Sequence, residues 1–390
     1  MNPREDKFSR AMVETPPSGI RKFFEMLIGH DDVISLSVGE PDFPTPWAMR
    51  EEAFYHLEQG HTSYTSNWGL IELREEIAKY LEGYSMRYNP QKEIIITVGA
   101  SEGVDASLRC ILNPGDEIIV SEPCYVNYTT LANLAGAKVV HLNTGKTGFY
   151  PTAEEIEKLV TPKTKALMIC SPNNPTGTII PAEELAKIAE VVKKHKIWVI
   201  SDEIYCELTY EDTKHTSIGS FPGMKDYTIV LNGFSKSFAM TGWRIGYIAA
   251  PEDVCEQIIK LHGYNTICAP IMSQYAALEG LKNGWSEVEK MRVSYQQRRN
   301  LMVKAFNDMG LPVPEPKGAF YLFPDITSTG LTSEQFALQV FEKLNVAVVP
   351  GNVFGAGGEG HIRCCYATSV EKIKTALDKI SGFVAECSRK

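Results

Sequence analysis

From about residue 93 onward, short runs rich in Ile and Val alternate with stretches whose apolar positions recur at helical spacing. The runs 93–98 (EIIITV), 116–120 (DEIIV), 137–142 (AKVVHL), 165–170 (KALMIC), 197–201 (IWVIS) and 228–232 (TIVLN) read as strands. KALMIC lacks polar alternation, which predicts a strand covered on both faces. Within 181–195, Leu185, Ile188, Ala189 and Val192 fall at i, i+3, i+4 and i+7, one apolar stripe of a helix. The stretch 99–112 predicts a helix that Asn113-Pro114-Gly115 stops. Thr152 with Glu155 three residues on predicts a capping box. This repeated strand-then-helix order predicts an α/β fold, a mostly parallel sheet with helices on both faces. A long helical section over about 251–309 is followed by strands near 319–323, 346–349 and 361–367 and a closing helix, a smaller α+β unit. The first twenty residues, polar and proline-containing, read as an arm. The N-terminal segment is expected to join the smaller unit, because chain ends often lie close together.

Length and composition narrow the function classes. With 390 residues the chain suggests two domains or three, and 44% hydrophobic with 22% charged residues is ordinary for a soluble protein with a large core. A formal net charge of −9 argues against a nucleic-acid binder or a DNA-binding regulator, which would present a basic face. No apolar run approaches the roughly 20 residues that span a bilayer. The charged N-terminus has no apolar signal region, so a cytoplasmic location is expected. Nine scattered cysteines without a C-x-x-C pair fit reduced thiols. His361, Cys364 and Cys365 alternate along a strand-like run and are not expected to bind metal. Gly355-Ala356-Gly357-Gly358-Glu359-Gly360 matches G-x-G-x-x-G, but a strand-like run follows it where a dinucleotide site requires a helix.

In an open parallel sheet, ligands bind beyond the carboxyl ends of the strands. Four strand ends here carry reactive residues. Gly99-Ala100-Ser101-Glu102 opens a helix, and 171–177 reads SPNNPTG. Asp202-Glu203-Ile204-Tyr205 follows IWVIS, and Gly233-Phe234-Ser235-Lys236-Ser237 ends TIVLN. Each has a bland reading: a turn, a helix cap, a solvated lysine. Together they have a chemical sense. A helix N-terminus with a free hydroxyl holds phosphate, and Arg244 can clamp it. A carboxylate keeps an aromatic nitrogen protonated, and a lysine amine condenses with an aldehyde. Phosphate, pyridine nitrogen and aldehyde describe pyridoxal 5′-phosphate.

At these residues the sequence resembles the class I/II pyridoxal-phosphate aminotransferases of fold type I, in the branch of prokaryotic aspartate, aromatic and N-acetyl-diaminopimelate enzymes. The matching stretches span nearly the whole chain: LSVGEPDFPTP, TSYTSNWGLIELR, TVGASEG, SPNNPTGT, SDEIYCELTY, LNGFSKSFAMTGWRIGY, KGAFYLFP and VVPGNVFGAGGEGHIRCCYATS. The resemblance implies a seven-stranded sheet in a large cofactor-binding domain over 46–285, a small domain over 286–390, and an arm over 1–45 that adds to it. It implies that Lys236 carries the cofactor as a Schiff base and then acts as the base. Asp202 would pair with the ring nitrogen, Tyr205 and Asn174 with the phenolic oxygen, and Tyr125 would stack on the ring. Ala100, Ser101, Glu102, Ser235 and Arg244 would hold the phosphate, with Tyr64 reaching in from the other subunit of a homodimer. Arg363 would fork onto the substrate carboxylate beside Asn174 and the backbone of Gly39. Gly233 stands where some relatives have a phosphate-binding hydroxyl, which leaves Ser235 as the donor. The implied reaction is ping-pong transfer of an amino group from an L-amino acid to a 2-oxo acid such as 2-oxoglutarate. A carbon–sulfur β-lyase using the same lysine is the alternative. Ile20, Arg21, Asn67 and Trp68 are candidates for the donor's side-chain pocket.

Overall fold

The computed structural model describes residues 7–20, 23 and 32–387. Seven strands form the main sheet, in spatial order Ile94–Thr97, Gly246–Ala249, Thr228–Gly233, Trp198–Asp202, Thr164–Cys170, Glu117–Glu122 and Lys138–Asn143. All share one direction except Gly246–Ala249, which runs antiparallel to both neighbours. Sequence periodicity predicted six of them and missed this one. Four apolar residues directly after the lysine segment carry no local sign that the chain turns back into the sheet.

Both faces are covered, and the alternation within one strand shows how. Ala166, Met168 and Cys170 pack with Val104, Leu108 and Ile258, from the helices Gly99–Ile111 and Glu252–Asn265. Leu167 and Ile169 pack on the opposite face with Ile156, Leu185, Ile188 and Val192. The predicted stripe is the buried side of Ala182–His195. Each fully buried aliphatic side chain there contributes about 1.5–3 kcal/mol of transfer free energy. Such double coverage is why these strands read as continuous apolar runs.

The long helical section is three helices, Glu252–Asn265, Ile271–Asn283 and Trp285–Asp308. Pro270 and Gly284 flank the breaks, where proline starts a helix but cannot continue one and glycine ends one. Beyond them, Val349–Pro350, Ile362–Cys365 and Tyr321–Leu322 form a three-stranded antiparallel sheet. Val346–Ala347 pairs instead with Ile34–Ser35, so the run expected near 346–349 divides between two sheets. At Thr152 the hydroxyl accepts from the Glu155 N–H, while the fully reciprocal capping box lies at Thr332 and Gln335. The G-x-G-x-x-G match, residues 355–360, holds one short 3₁₀ turn, Ala356–Gly358, directly after another at Gly351–Phe354, and opens no α-helix. Among the described residues no helix is long and apolar enough to cross a membrane.

Candidate active site

The carboxyl ends of the parallel strands open into a cavity of about 750 Å³ whose wall includes Lys236, Asp202, Tyr205, Asn174, Arg244 and Arg363. Residues from 174 to 363 are thus brought to one place by the sheet and by the antiparallel strand that carries Arg363.

Lys236 follows the strand Thr228–Gly233 and is largely buried. Its Nζ donates to the Gly39 carbonyl at 2.7 Å and lies over the rings of Phe320 and Tyr205 at 5.6 and 5.8 Å. Burial lowers its pKa to about 8, since a buried ammonium loses its hydration, and Arg363 and Arg244 push the same way. A lysine with this pKa supplies free amine near neutral pH, the form that attacks a carbonyl.

Asp202 ends the strand Trp198–Asp202 and is 5% exposed. Burial raises the pKa of its carboxyl, against two hydrogen bonds that lower it. One comes from the Tyr128 hydroxyl at 2.6 Å, the other from the Ile204 N–H at 3.1 Å. A buried carboxylate with two fixed donors and no direct ion pair among the described residues suits a cationic N–H in the cavity. Tyr128 carries no sign of this role in the sequence beyond standing three residues after Tyr125. Tyr128→Phe removes the bond that favours the charged form, so the Asp202 pKa rises further. We expect kcat to fall about tenfold, the loss of one bond to a charged group, and the acidic limb of the pH profile to move upward. An unmoved limb would count against this coupling.

Arg363 is 2% exposed, with Nη1 donating to Asn174 Oδ1 at 2.9 Å and Nη2 to the Ser37 carbonyl at 2.6 Å. Its Nε is buried without a partner. The guanidinium is clamped between the Tyr321 and Phe354 rings, 4.6 and 4.9 Å from their centres. With its Oδ1 committed to Arg363, the Asn174 amide keeps its N–H₂ for an acceptor in the cavity. Tyr205 and Tyr321 share a hydrogen bond of 2.8 Å between hydroxyls. Tyr321, quoted above only within KGAFYLFP, is therefore part of the site. Gly39 is required beside it, because a Cβ there would run into the Tyr321 hydroxyl.

The end of the cavity expected to hold an anion is built on the helix Gly99–Ile111. Gly99 takes φ +74°, and a Cβ at that position would meet Arg244 Nη2 at 2.5 Å. Glycine thus lets the guanidinium lie against the helix start. Arg244 itself holds the left-handed φ of 51°, uncommon for a side chain of its size. Ala100, Ser101 and Ser235 share the cavity wall with it, as does Tyr125. Tyr125 packs edge-on against Tyr128 with ring centres 5.7 Å apart.

Two of the expected residues lie off this chain's cavity wall, as the resemblance implies for Tyr64. The Glu102 carboxylate turns away to accept from the Val98 N–H at 2.5 Å and to bond His262 Nδ1 at 2.6 Å. It thereby caps its own helix. Tyr64 is 79% exposed and absent from this chain's cavity wall. Of the pocket candidates, Ile20 lines the cavity and Trp68 packs at the core beneath it. Asn67 does not line the cavity, and Arg21 lies outside the described residues.

This geometry has close counterparts. The sequence matches the family described as aminotransferase class I and II over residues 31–380. It is 54% identical over 370 residues to the putative aminotransferase YugH of Bacillus subtilis, covering 94% of this chain and 96% of that one. It is 45% identical over 374 residues to an aspartate aminotransferase of Pyrococcus abyssi, covering 95% and 96%. Among solved structures, the aromatic aminotransferase of Pyrococcus horikoshii superposes with a TM-score of 0.89 at 43% identity, covering 94% of this chain and 99% of that one. The sheet, the cavity at its strand ends and these matches agree: the chain belongs to the aminotransferase class I and II family and is an enzyme that transfers amino groups.

Proposed function

We propose that the cavity holds pyridoxal 5′-phosphate and that the protein, a cytoplasmic homodimer, moves the amino group of an L-amino acid to a 2-oxo acid, with 2-oxoglutarate the acceptor to try first. The observation that carries this reading is the convergence of Lys236, Asp202 and Arg363 in one largely buried cavity. The donor set fits the group end to end. The helix start at Ala100–Ser101, Ser235 and Arg244 suit a phosphate. Asp202 suits a protonated ring nitrogen, and Tyr205 with the Asn174 amide suits a ring oxygen. When bound, this cofactor supplies an aldehyde and an electron-accepting ring.

The chain's own groups do the rest. Lys236 Nζ would anchor the cofactor and, once displaced by substrate, take the proton from the substrate Cα and hand it on; a positioned base contributes about 10²–10⁴-fold. The place of the Arg363 guanidinium on the cavity wall supports a substrate carboxylate as its partner there, and the aromatic rings that clamp it keep that contact poor in water. In this reading residues 46–285 form the cofactor domain, and 286–390 with 1–45 form the smaller one that brings Arg363. Tyr64 would complete the phosphate site of the neighbouring subunit. Exposed apolar residues on the helix Trp47–Glu58, among them Trp47, Phe54 and Tyr55, support a covering partner there.

The described cavity wall holds three cations, Lys236, Arg244 and Arg363, each already given a role. A donor with a distal carboxylate would need Arg21, Lys22 or the second subunit to meet it. Aspartate-like, aromatic and diaminopimelate-like donors are therefore the classes to compare. Arg363→Lys keeps the charge and loses the fork. We expect KM for donor and acceptor alike to rise about 10- to 100-fold, with kcat less affected. Steady-state kinetics with both substrates checks this, and an unchanged KM would remove Arg363 from the carboxylate site.

The test of the reading is the visible spectrum of purified protein as amino acids are added one at a time without acceptor. A cofactor band that one donor converts, with one equivalent of oxo acid released, establishes the half-reaction and the donor class. No band after adding pyridoxal phosphate defeats the reading. The relatives do not favour the carbon–sulfur β-lyase alternative. Release of pyruvate and ammonia from a sulfur amino acid without acceptor would reverse that.

A further inference from the structure

Glu203 lies between Asp202 and Tyr205 in the sequence, yet its side chain points away from the cavity. In a strand, alternate residues share a face, so Ser201 and Glu203 stand opposite Asp202. The Glu203 carboxylate is 3% exposed and accepts three hydrogen bonds. Ser201 Oγ donates to its Oε1 at 2.9 Å, Ser217 Oγ to the same oxygen at 2.6 Å, and His215 Nε2 meets Oε2 at 3.0 Å. His215 is equally buried, with an unpartnered Nδ1. Ser217 is itself held, accepting from the Gly219 N–H at 3.2 Å.

The backbone of Glu203 is fixed as firmly. Its N–H donates to the Leu231 carbonyl at 2.8 Å, tying it to the strand that leads to Lys236. Its carbonyl accepts from the Cys206 N–H at 2.9 Å, which closes the turn that carries Tyr205. The next residue, Ile204, supplies the N–H that orients Asp202. A carboxylate buried this deeply is expensive unless it is fully bonded, and here the bonding ends on one short turn. That turn presents two groups of the cavity, Asp202 and Tyr205, from its other side.

We propose that Glu203, with Ser201, His215 and Ser217, is a positioning residue that aims Asp202 and Tyr205 at the cofactor ring. This rests on the reading that the cavity binds pyridoxal phosphate. Glu203 touches neither cofactor nor substrate. Its contribution is geometric, and misplacing a reacting group by about 1 Å can cost on the order of 10²-fold.

The test compares Glu203→Ala and Glu203→Gln with the wild-type protein. The glutamine keeps an oxygen for both serines and turns its N–H₂ toward His215 Nε2, which can accept it once the ring proton sits on Nδ1; the alanine keeps nothing. Apoprotein of each is titrated with pyridoxal phosphate, and the affinity and visible spectrum are recorded before any turnover. Glu203→Ala should bind the cofactor about tenfold or more weakly, with a shifted absorption band, and kcat should fall about 30-fold while donor KM moves little. Glu203→Gln should recover all three to within about threefold. If Glu203→Ala loads with the wild-type affinity and spectrum, the proposal is wrong even where stability has dropped. If the alanine variant does not fold, Ser217→Ala, which removes one of the three bonds, should show a smaller shift in the same direction, and none would be equally fatal. Failure of the wild-type protein to bind the cofactor would instead defeat the functional reading on which the proposal stands.

Discussion

Lys236→Ala should lose turnover by about 10⁴-fold or more, because in the proposed reading one amine would both anchor the cofactor and move the proton. The amine is prepared for this before any substrate arrives. Burial in the cavity holds its pKa at about 8 against the usual 10.5. The same shift has a thermodynamic side that the apoprotein reveals. Between pH 8 and 10.5 an unfolded chain binds a proton at this lysine that the native protein does not, so native stability rises with pH through that window. Below pH 8 both states are protonated and the full penalty applies, of order 3 kcal/mol for a shift of this size. Lys236→Met keeps the apolar stem and removes the charge. Its apoprotein should therefore be more stable than wild type at pH 7, with the gap narrowing by pH 10. Denaturant unfolding of the two apoproteins at both pH values checks the sign. Retained multiple turnover in Lys236→Ala would refute the catalytic assignment, whatever the stability shows.

Asp202→Ala should slow the proton transfer at the substrate Cα by about 10²–10³-fold, the usual loss when one aimed electrostatic group is removed from a water-poor site. The carboxylate is buried, fixed by Tyr128 and the Ile204 N–H, and makes no direct ion pair among the described residues, with Lys236 acting on it only at a distance. Its charge is left available to a group placed in the cavity. Single-turnover kinetics with one amino donor isolates the step, and an unchanged rate would remove the carboxylate from the chemistry. Removing Asp202 also strands the Tyr128 hydroxyl in an apolar setting. Tyr128→Phe combined with Asp202→Ala should therefore restore stability lost in the single Asp202 variant without restoring the rate.

Much of this site could be located from the sequence because strand ends are local features. An apolar run ending in Asp202, in Asn173-Asn174 or shortly before Lys236 shows where the sheet stops, and ligands meet a parallel sheet there. The roles of Asn174, Tyr125, Arg363 and Tyr64 came from resemblance to a family. No spacing rule links Arg363 to Asn174 across 189 residues, or Tyr205 to Tyr321 across 116. The Glu102 side chain is another contact no spacing rule supplies. The resemblance placed Glu102 at the phosphate, and the fold sets its carboxylate against His262, 160 residues on.

By itself the sequence determined the strand-and-helix order, the double coverage of the sheet and the four reactive strand ends, since each depends on side-chain periodicity over a few residues. The tertiary structure alone decided the reversal of Gly246–Ala249, the bond from Tyr128 to Asp202 and the Glu203 network behind the turn. It also set the lowered pKa of Lys236. These depend on which distant groups share a buried space, and burial is a property of the folded chain rather than of any segment within it.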